Sequence, residues 1–181
     1  MKINSEIRIA ISGKSGCGNT TVSTMLAEKL NVALINFTFR QLAAEKGLTL
    51  AQVIENAKTD DSYDIYVDNH QVELAKKNSC VLGSRLAIWM LKEADLKIYL
   101  YASDQVRAQR IFNREGGNIE EIKNFTSMRD AEDSRRYKKL YSIDNGDYCF
   151  ADLVINTAFY KPEQIVEIIL ECAVQKGLLT R

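Results

Sequence analysis

A glycine-rich segment near the start of the chain combines the residue types that bind phosphate groups. It reads Gly13-Lys14-Ser15-Gly16-Cys17-Gly18-Asn19-Thr20-Thr21, between an apolar run at 7–12 and a segment at 22–30 with apolar residues at helical spacing. Glycines let the backbone curl so that consecutive N–H groups point inward, and a helix start adds further unpaired N–H groups. Strand, glycine loop and helix in this order predict a phosphate-binding loop; the alternative is an ordinary strand-turn-helix with surplus glycine.

One position of the loop departs from the usual pattern G-x-x-x-x-G-K-[ST], because Asn19 stands where that pattern has lysine. An amide brings no positive charge to a phosphate, so Lys14, the second residue of the loop, is a candidate substitute. Thr20 occupies the position whose hydroxyl holds Mg²⁺ in such loops. Cys17 beside a helix N-terminus is a candidate reactive thiolate, but a small residue tolerated in the loop is the simpler interpretation.

Strand-like and helical segments alternate along the rest of the chain. The predicted strands are 7–12, 32–36, 79–83, 96–101 and 152–157. One predicted helix follows the loop directly, at 22–30. The others span 38–46, 49–58, 64–77, 86–91, 104–114 and most of 119–144, and a last helix lies between Pro162 and Gly177. This alternation predicts one domain over 1–181, an α/β fold with a doubly wound, five-stranded parallel sheet.

Charged residues follow two of the predicted strands or recur on predicted helices. Arg40 and Arg85 lie just beyond strand carboxyl ends, where open α/β sheets bind ligands, although a surface arginine explains Arg40 equally well. Asp64 and Asp68 share a helix face, which is solvated by default. The other periodic sets are Arg107, Arg110 and Arg114, and Arg129, Asp133 and Arg136. Each set is either a salt-bridged, solvated face or an anion-binding one; Gly116-Gly117 before the second favours a mobile arm.

Bulk properties exclude several classes of protein. The formal net charge is zero, which argues against a general nucleic-acid binder. Neither a membrane-spanning apolar run nor a signal peptide is recognisable, so we expect no membrane partner. The four cysteines lie far apart without a C-x-x-C pair, which indicates reduced thiols and a cytoplasmic protein. The single histidine, His70, leaves little basis for a histidine triad.

With these motifs in place, the chain resembles the nucleoside monophosphate kinases, and most of all the short cytidylate kinases of archaea and some bacteria. The resemblance covers nearly the whole chain. It rests on the 13–21 loop, Leu82-Gly83-Ser84-Arg85-Leu86-Ala87, Val106-Arg107-Ala108-Gln109-Arg110, Arg136-Tyr137 and Asp152-Leu153-Val154-Ile155-Asn156-Thr157. It implies a P-loop kinase core with a helical acceptor-binding insertion at about 37–78 and a helical lid at about 115–144. Short members commonly lack the loop lysine, as this chain does.

The resemblance also implies roles for individual residues. The 13–21 loop would hold the ATP phosphates, with Mg²⁺ on Thr20 and Arg110 near the adenine. The acceptor, CMP or perhaps dCMP, would be bound by residues from several segments, namely Arg40, Asp68, Arg85 and Asp133. The cations around the transferred phosphate would be Arg114, Arg129 and Arg136; Lys14 joins this catalytic set as the substitute that the loop residues themselves suggest. ATP and CMP are the partners implied; a monomer is the default expectation for the oligomeric state.

Two alternatives stay open at this point. Gly83-Ser84 stands where the short cytidylate kinases tend to have glutamate-glycine, and 36–38 lacks their usual small residues. Both differences lie on the acceptor side, so a related kinase with another small acceptor is one alternative. The other is a nucleotide-binding regulator without catalysis, which Asn19 and Gly83 favour. The retained set of arginines argues against a protein that only binds nucleotides.

Overall fold

A five-stranded parallel sheet forms the centre of the computed structural model, which describes residues 1–180. The strands are β1 (Lys2–Ile3), β2 (Arg8–Gly13), β3 (Ala33–Ile35), β4 (Cys80–Gly83), β5 (Leu96–Tyr101), β6 (Leu153–Asn156) and β7 (Leu179–Thr180). The helices are α1 (Asn19–Leu30), α2 (Phe39–Lys46), α3 (Leu50–Ala57), α4 (Ser62–Ala75), α5 (Ala87–Met90), α6 (Asp104–Glu115), α7 (Ile119–Tyr141) and α8 (Pro162–Gln175). The sheet order is β3-β4-β2-β5-β6.

The doubly wound sheet confirms the predicted fold class. Strand β2 is central and pairs in parallel with β4 on one side and β5 on the other, so that Ile9 lies between Val81 and Leu96. All of its residues after Arg8 are buried, as the apolar run at 7–12 predicts for a strand covered on both faces. The carboxyl ends of these strands meet at one edge, where the 13–21 loop begins.

Local capping chemistry sets the helix boundaries. Thr38 and Thr49 cap α2 and α3, each in a capping box with the glutamine three residues later. Pro162 is the first residue of α8, where its missing N–H costs no hydrogen bond. Helix α7 ends three residues earlier than the predicted stretch, because Ser142 adopts a left-handed conformation (φ 56°) that closes the helix.

Three apolar clusters stabilise the layers. The largest packs α1 and α8 against one face of the sheet through residues such as Ile11, Leu26 and Ile169. A second covers the opposite face with α4 and α5, and includes Leu82 and Ile88. The third joins α2, α3 and α4 through Phe37, Leu42, Ala43, Val53 and Val67. The helices between β3 and β4 therefore have a small core of their own.

A two-stranded antiparallel sheet, β1 with β7, was not predicted. Lys2 pairs with Thr180 and Ile3 with Leu179, and the Asn4 side chain donates to Gly177 O at 2.8 Å. Two-residue strands are too short to show alternation in a sequence. Within residues 1–180, no helix has both the length and the apolar character needed to cross a membrane.

Candidate active site

The 13–21 segment comprises the last residue of β2, a tight loop at 14–18 and the first turn of α1. Gly16 and Gly18 have φ values of 82° and 91°, which favour glycine. A Cβ on Gly16 would also lie only 2.9 Å from the Arg107 carbonyl oxygen, so the loop runs directly against α6. Cys17 is buried, and burial raises the pKa of its thiol, which favours the simpler interpretation of that residue. The loop thus adopts the tight, glycine-dependent conformation that its sequence predicts.

Two arginines of α6 hold the outer side of this loop. Arg107 Nη1 donates to Ser15 O at 3.1 Å, and Arg110 Nη1 donates to Gly16 O at 3.2 Å. Arg110 also donates to the hydroxyl and the carbonyl oxygen of Thr157, at 2.8 and 2.6 Å. These contacts tie the loop to α6 and to the end of β6. Most N–H groups of Arg110 therefore already donate hydrogen bonds within the protein. The planar face of a guanidinium is a surface on which an aromatic ring can stack.

The Asn19 side chain links β2 to the segment that follows β4 through hydrogen bonds. Its Nδ2 donates to Ile11 O at 3.2 Å and to Ser84 O at 3.3 Å, and its Oδ1 accepts from the Ser23 hydroxyl at 2.9 Å. Gly83 leaves room for this arrangement, since a Cβ there would lie 2.6 Å from Ser23 Oγ. The Asn19 side chain is therefore engaged within the protein, and only its backbone N–H remains for a phosphate.

Helix α7 brings two carboxylates to Lys14 of the loop and to Arg85, which follows β4. Lys14 Nζ lies 3.6 Å from Asp130 Oδ2. Arg85 donates to the Asp133 carboxylate and, through Nη2, to the Ser15 hydroxyl at 2.7 Å. Burial lowers the pKa of Arg85, with a further contribution from the charge of Arg129. The structure thus brings Lys14, Arg85 and Asp133 together beside the loop.

The spacing of Arg129, Asp133 and Arg136 suggested that Asp133 lies between the two arginines on one face of the helix, and the structure differs. Asp133 is 5% exposed and lies between two guanidiniums, but these belong to Arg136, at 2.7 Å, and Arg85. Arg129 is not one of the two. Because Arg85 follows β4, the Asp133 carboxylate connects α7 to the sheet edge as well as to its own helix.

Arg129 and Arg114 instead line a pocket of about 310 Å³ between α6 and α7, which reaches Ser15 of the loop. Apolar side chains form another part of its wall, namely Ile111, Ile122 and Phe125. The Arg114 side chain is 68% exposed and pairs with Glu115. The pocket therefore combines cations, one element of the phosphate loop and an apolar surface, which together suit a nucleotide.

A polar cluster lies where α4 faces α7. Asp68 accepts from the Tyr141 hydroxyl at 2.8 Å and from Gln71 Nε2 at 3.4 Å, and burial raises its pKa to about 6. Asp64 lies 3.4 Å from Arg136 Nε, and burial raises its pKa as well. Arg136 therefore links the Asp133 pair to this cluster. The cluster is a polar surface between the α2–α4 helices and α7.

Other predicted residues lie apart from these contacts. Arg40 is exposed in the first turn of α2, and within residues 1–180 its guanidinium makes no hydrogen bond or ion pair. Thr20 and Thr21 are exposed in the first turn of α1. The described part of the chain has no group of three His, Cys, Asp or Glu side chains able to hold a metal by themselves. One threonine hydroxyl beside a phosphate loop fits Mg²⁺, which binds few protein ligands together with substrate phosphates.

Arg107 was not among the predicted site residues, yet its guanidinium is almost fully buried at 1% exposure. Besides Ser15 O, it donates to Asp104 Oδ1 at 2.9 Å and to Asp130 Oδ2 at 2.6 Å. The ion pair with Asp104, three residues earlier on the same helix, was the one signal available in the sequence. Nothing local indicated the partner on α7.

Comparisons with known proteins identify the family of this chain. Residues 8–158 match the model of the cytidylate kinase-like family. Cytidylate kinase 2 of Borreliella burgdorferi is 46% identical over 90% of this chain and 93% of its own length. The cytidylate kinase of Archaeoglobus fulgidus is 40% identical, covering 95% of this chain and 97% of that one. Shikimate kinase from Acinetobacter baumannii shares the fold, with a TM-score of 0.65, 19% identity and 96% coverage of each chain. The chain belongs to the cytidylate kinase-like family.

Proposed function

We propose that the protein is a cytidylate kinase that transfers the γ-phosphate of ATP to CMP, giving CDP and ADP. The observation that carries this proposal is the convergence of cationic side chains from α6, α7 and the segment after β4 on one glycine-rich loop. Phosphoryl transfer needs alignment of two phosphates and neutralisation of charge, rather than a protein nucleophile. Relatives at 40–46% identity that are named cytidylate kinases support CMP as the acceptor.

ATP is the proposed donor, with its phosphates on the N–H groups of the 13–21 loop. Arg110 would present its planar face to the adenine, because its N–H groups already bind Gly16 O and Thr157. The Thr20 hydroxyl would hold Mg²⁺ together with the phosphates, and the ion would supply part of the charge neutralisation. Lys14, at the front of the same loop, would add the positive charge that Asn19 lacks; its amine lies 3.6 Å from Asp130 Oδ2.

CMP is proposed to bind between the sheet edge and the α2–α4 helices. Arg85 and Arg40 would hold its phosphate, since guanidinium forks match phosphate oxygens. Asp68 and Asp133 would contact the nucleoside, and both already accept hydrogen bonds from neighbouring side chains. The separate core of α2, α3 and α4 supports their role as the acceptor-binding insertion at about 37–78, within a single domain.

Helix α7 is proposed to act as the lid, at about 115–144. Arg129 and Arg136 on this helix and Arg114 on α6 would stabilise the charge that spreads over the transferred phosphate. Gly116 and Gly117, with φ values of 73° and 98°, form a turn that separates α6 from α7. Closure of the lid over both nucleotides would exclude water and so favour transfer over hydrolysis.

A coupled assay of ADP release distinguishes this proposal from its alternatives. With ATP and Mg²⁺, the protein is expected to turn over CMP, and replacement of Arg129 by alanine should abolish most of that turnover. Binding of ATP without turnover of any monophosphate would support a regulator. Turnover of a different acceptor would support a related kinase and reject CMP as the substrate.

A further inference from the structure

Arg107 joins three parts of the protein through one buried guanidinium. Nη1 reaches the Ser15 carbonyl oxygen in the phosphate loop, and Nη2 reaches Asp104 on its own helix and Asp130 on α7. A buried charge is stable only when it is well paired, so these partners are held in place. Asp130 is itself mostly buried, with a side-chain exposure of 12%.

The Ser15 contact bears on how the loop presents its N–H groups. The Ser15 carbonyl and the Gly16 N–H belong to the same planar, trans peptide unit and therefore point in opposite directions. An arginine that holds the carbonyl toward α6 thus directs the Gly16 N–H away from α6, into the loop. Arg107 thereby fixes one of the donors on which phosphate binding depends.

The Asp130 contact bears on α7. Asp130 lies next to Arg129 and three residues before Asp133, so fixing its position restrains the stretch of α7 that carries both residues. A guanidinium is rigid and planar, so its two ends cannot move independently. The same guanidinium therefore links the position of α7 to the orientation of the Ser15 peptide.

We propose that Arg107 is a positioning residue that aligns the phosphate loop with the lid during phosphoryl transfer, through Ser15 O and Asp130, without touching either nucleotide. This inference rests on the proposed kinase activity. It assigns to α6 a coupling role that differs from substrate binding. Loss of the Asp130 charge should leave nucleotide affinity nearly intact and impair the transfer step.

Two carboxylates on the same guanidinium nitrogen provide a matched pair of variants. Asp130→Asn removes the charge on the lid, whereas Asp104→Asn removes a charge on α6 itself. We expect Asp130→Asn to lower kcat by about 10- to 100-fold, with each KM changed less than about threefold. The nucleotides would still bind, but the loop and α7 would be misaligned, which slows the transfer step. Asp104 is 60% exposed, so Asp104→Asn should stay within about twofold of the parent.

Amide hydrogen exchange of α7 gives a readout that does not depend on turnover. Asp130→Asn and Arg107→Lys should both speed exchange in the middle of α7, because a lysine amine cannot span Ser15 O and Asp130 together. Asp104→Asn should leave that exchange unchanged. Equal kinetics and equal exchange for Asp130→Asn and Asp104→Asn would overturn the inference. So would faster exchange in Lys14→Ala together with parental exchange in Arg107→Lys, because the coupling would then run through Lys14.

These results separate the inference from the proposed function. A parent protein that phosphorylates no nucleotide would contradict the proposed kinase activity. The exchange contrast between the two asparagine variants would still show whether Arg107 couples the loop to α7. A parent that is active and an Asp130→Asn variant that matches it in kcat and in exchange would contradict the positioning role alone.

Discussion

Arg85 and Asp133 form an ion pair that joins the end of β4 to α7 beside the phosphate loop. The other Asp133 oxygen accepts from Arg136 at 2.7 Å, and Arg85 also donates to the Ser15 hydroxyl at 2.7 Å. Two guanidiniums proposed to act on phosphate thus share one carboxylate. A phosphate that binds Arg85 competes with Asp133 for the same N–H groups, so acceptor binding and the position of α7 are linked.

Arg85 should be sensitive even to a conservative substitution. Lysine keeps the positive charge but cannot contact Asp133 and Ser15 Oγ with two parallel nitrogens. We expect Arg85→Lys to lower kcat/KM for CMP by about 10-fold or more, because a point charge replaces a fork. The KM for ATP should change little. Steady-state kinetics with each substrate varied in turn check this, and an effect confined to the KM for ATP would place Arg85 on the donor side.

Lys14 is expected to replace the missing loop lysine. Its amine is 3.6 Å from Asp130 Oδ2 and therefore lies between the loop and α7. Lys14→Ala should lower kcat by about 10²-fold, comparable to the loss of one electrostatic stabiliser of a transition state. Arg129→Ala is the matched comparison. If Lys14→Ala keeps the parental kcat while Arg129→Ala loses most of it, the arginines of the proposed lid supply the charge and Lys14 does not.

Asn19 should affect stability more than catalysis. Its hydrogen bonds with Ile11 O, Ser84 O and Ser23 Oγ would all be lost in Asn19→Ala, although the two carbonyl oxygens keep backbone donors. We expect a loss of about 1–3 kcal/mol in the free energy of unfolding, with kcat reduced far less than in Lys14→Ala. Ser23→Ala removes only the third of these bonds and should cost less. Urea denaturation followed by circular dichroism measures the free energy of unfolding of both variants. Equal values for Asn19→Ala and the parent would show that these hydrogen bonds do not stabilise the fold.

Asp68 gives a prediction on pH. Its pKa in the folded protein is about 6, above the ordinary value of 3.8, because burial disfavours the carboxylate. The folded state therefore binds more protons than the unfolded state between these values, and this group's contribution to stability falls as the pH rises from about 4 to about 6. Above that range the buried carboxylate is a net cost.

Asp68→Asn removes this cost while keeping an acceptor for Tyr141. Gln71 Oε1, which has no partner within residues 1–180, can accept from the new amide. The variant should melt about 2–4 °C higher than the parent at pH 7.5, the shift that about 1 kcal/mol produces in a protein of this size. The difference should shrink as the pH falls toward 4, and calorimetry at several pH values measures it. A gain that does not depend on pH would assign the effect to packing.

Much of the fold could be predicted because its signals are local. The five strands of the main sheet are short apolar segments bounded by turns, and Thr38, Thr49 and Pro162 are recognisable caps. The phosphate loop is contiguous, so its glycines are visible without a structure. The pair β1 and β7 could not be predicted, because two-residue strands have no periodicity and their pairing depends on the whole fold.

The contacts of the site could be predicted within one helix, but not where they join elements that are far apart in the sequence. The pair of Asp133 with Arg136 is three residues apart on one helix and follows from spacing. The contacts of Arg85 with Asp133, Asn19 with Ser84 O and Arg107 with Asp130 join elements 48, 65 and 23 residues apart. These contacts depend on how α7 returns over the loop, which is a tertiary relationship. A fully buried arginine therefore had the same sequence pattern as a solvated one.

The most direct test of the proposed function is the choice of acceptor. Purified protein is incubated with ATP, Mg²⁺ and one of CMP, AMP, GMP or UMP, and the diphosphate formed is quantified by chromatography. The account predicts CDP formation with a kcat/KM for CMP that exceeds that for each other monophosphate by about 10-fold or more, a ratio within reach of a site that hydrogen-bonds its acceptor. Failure to form CDP, or faster phosphorylation of another monophosphate, would contradict it.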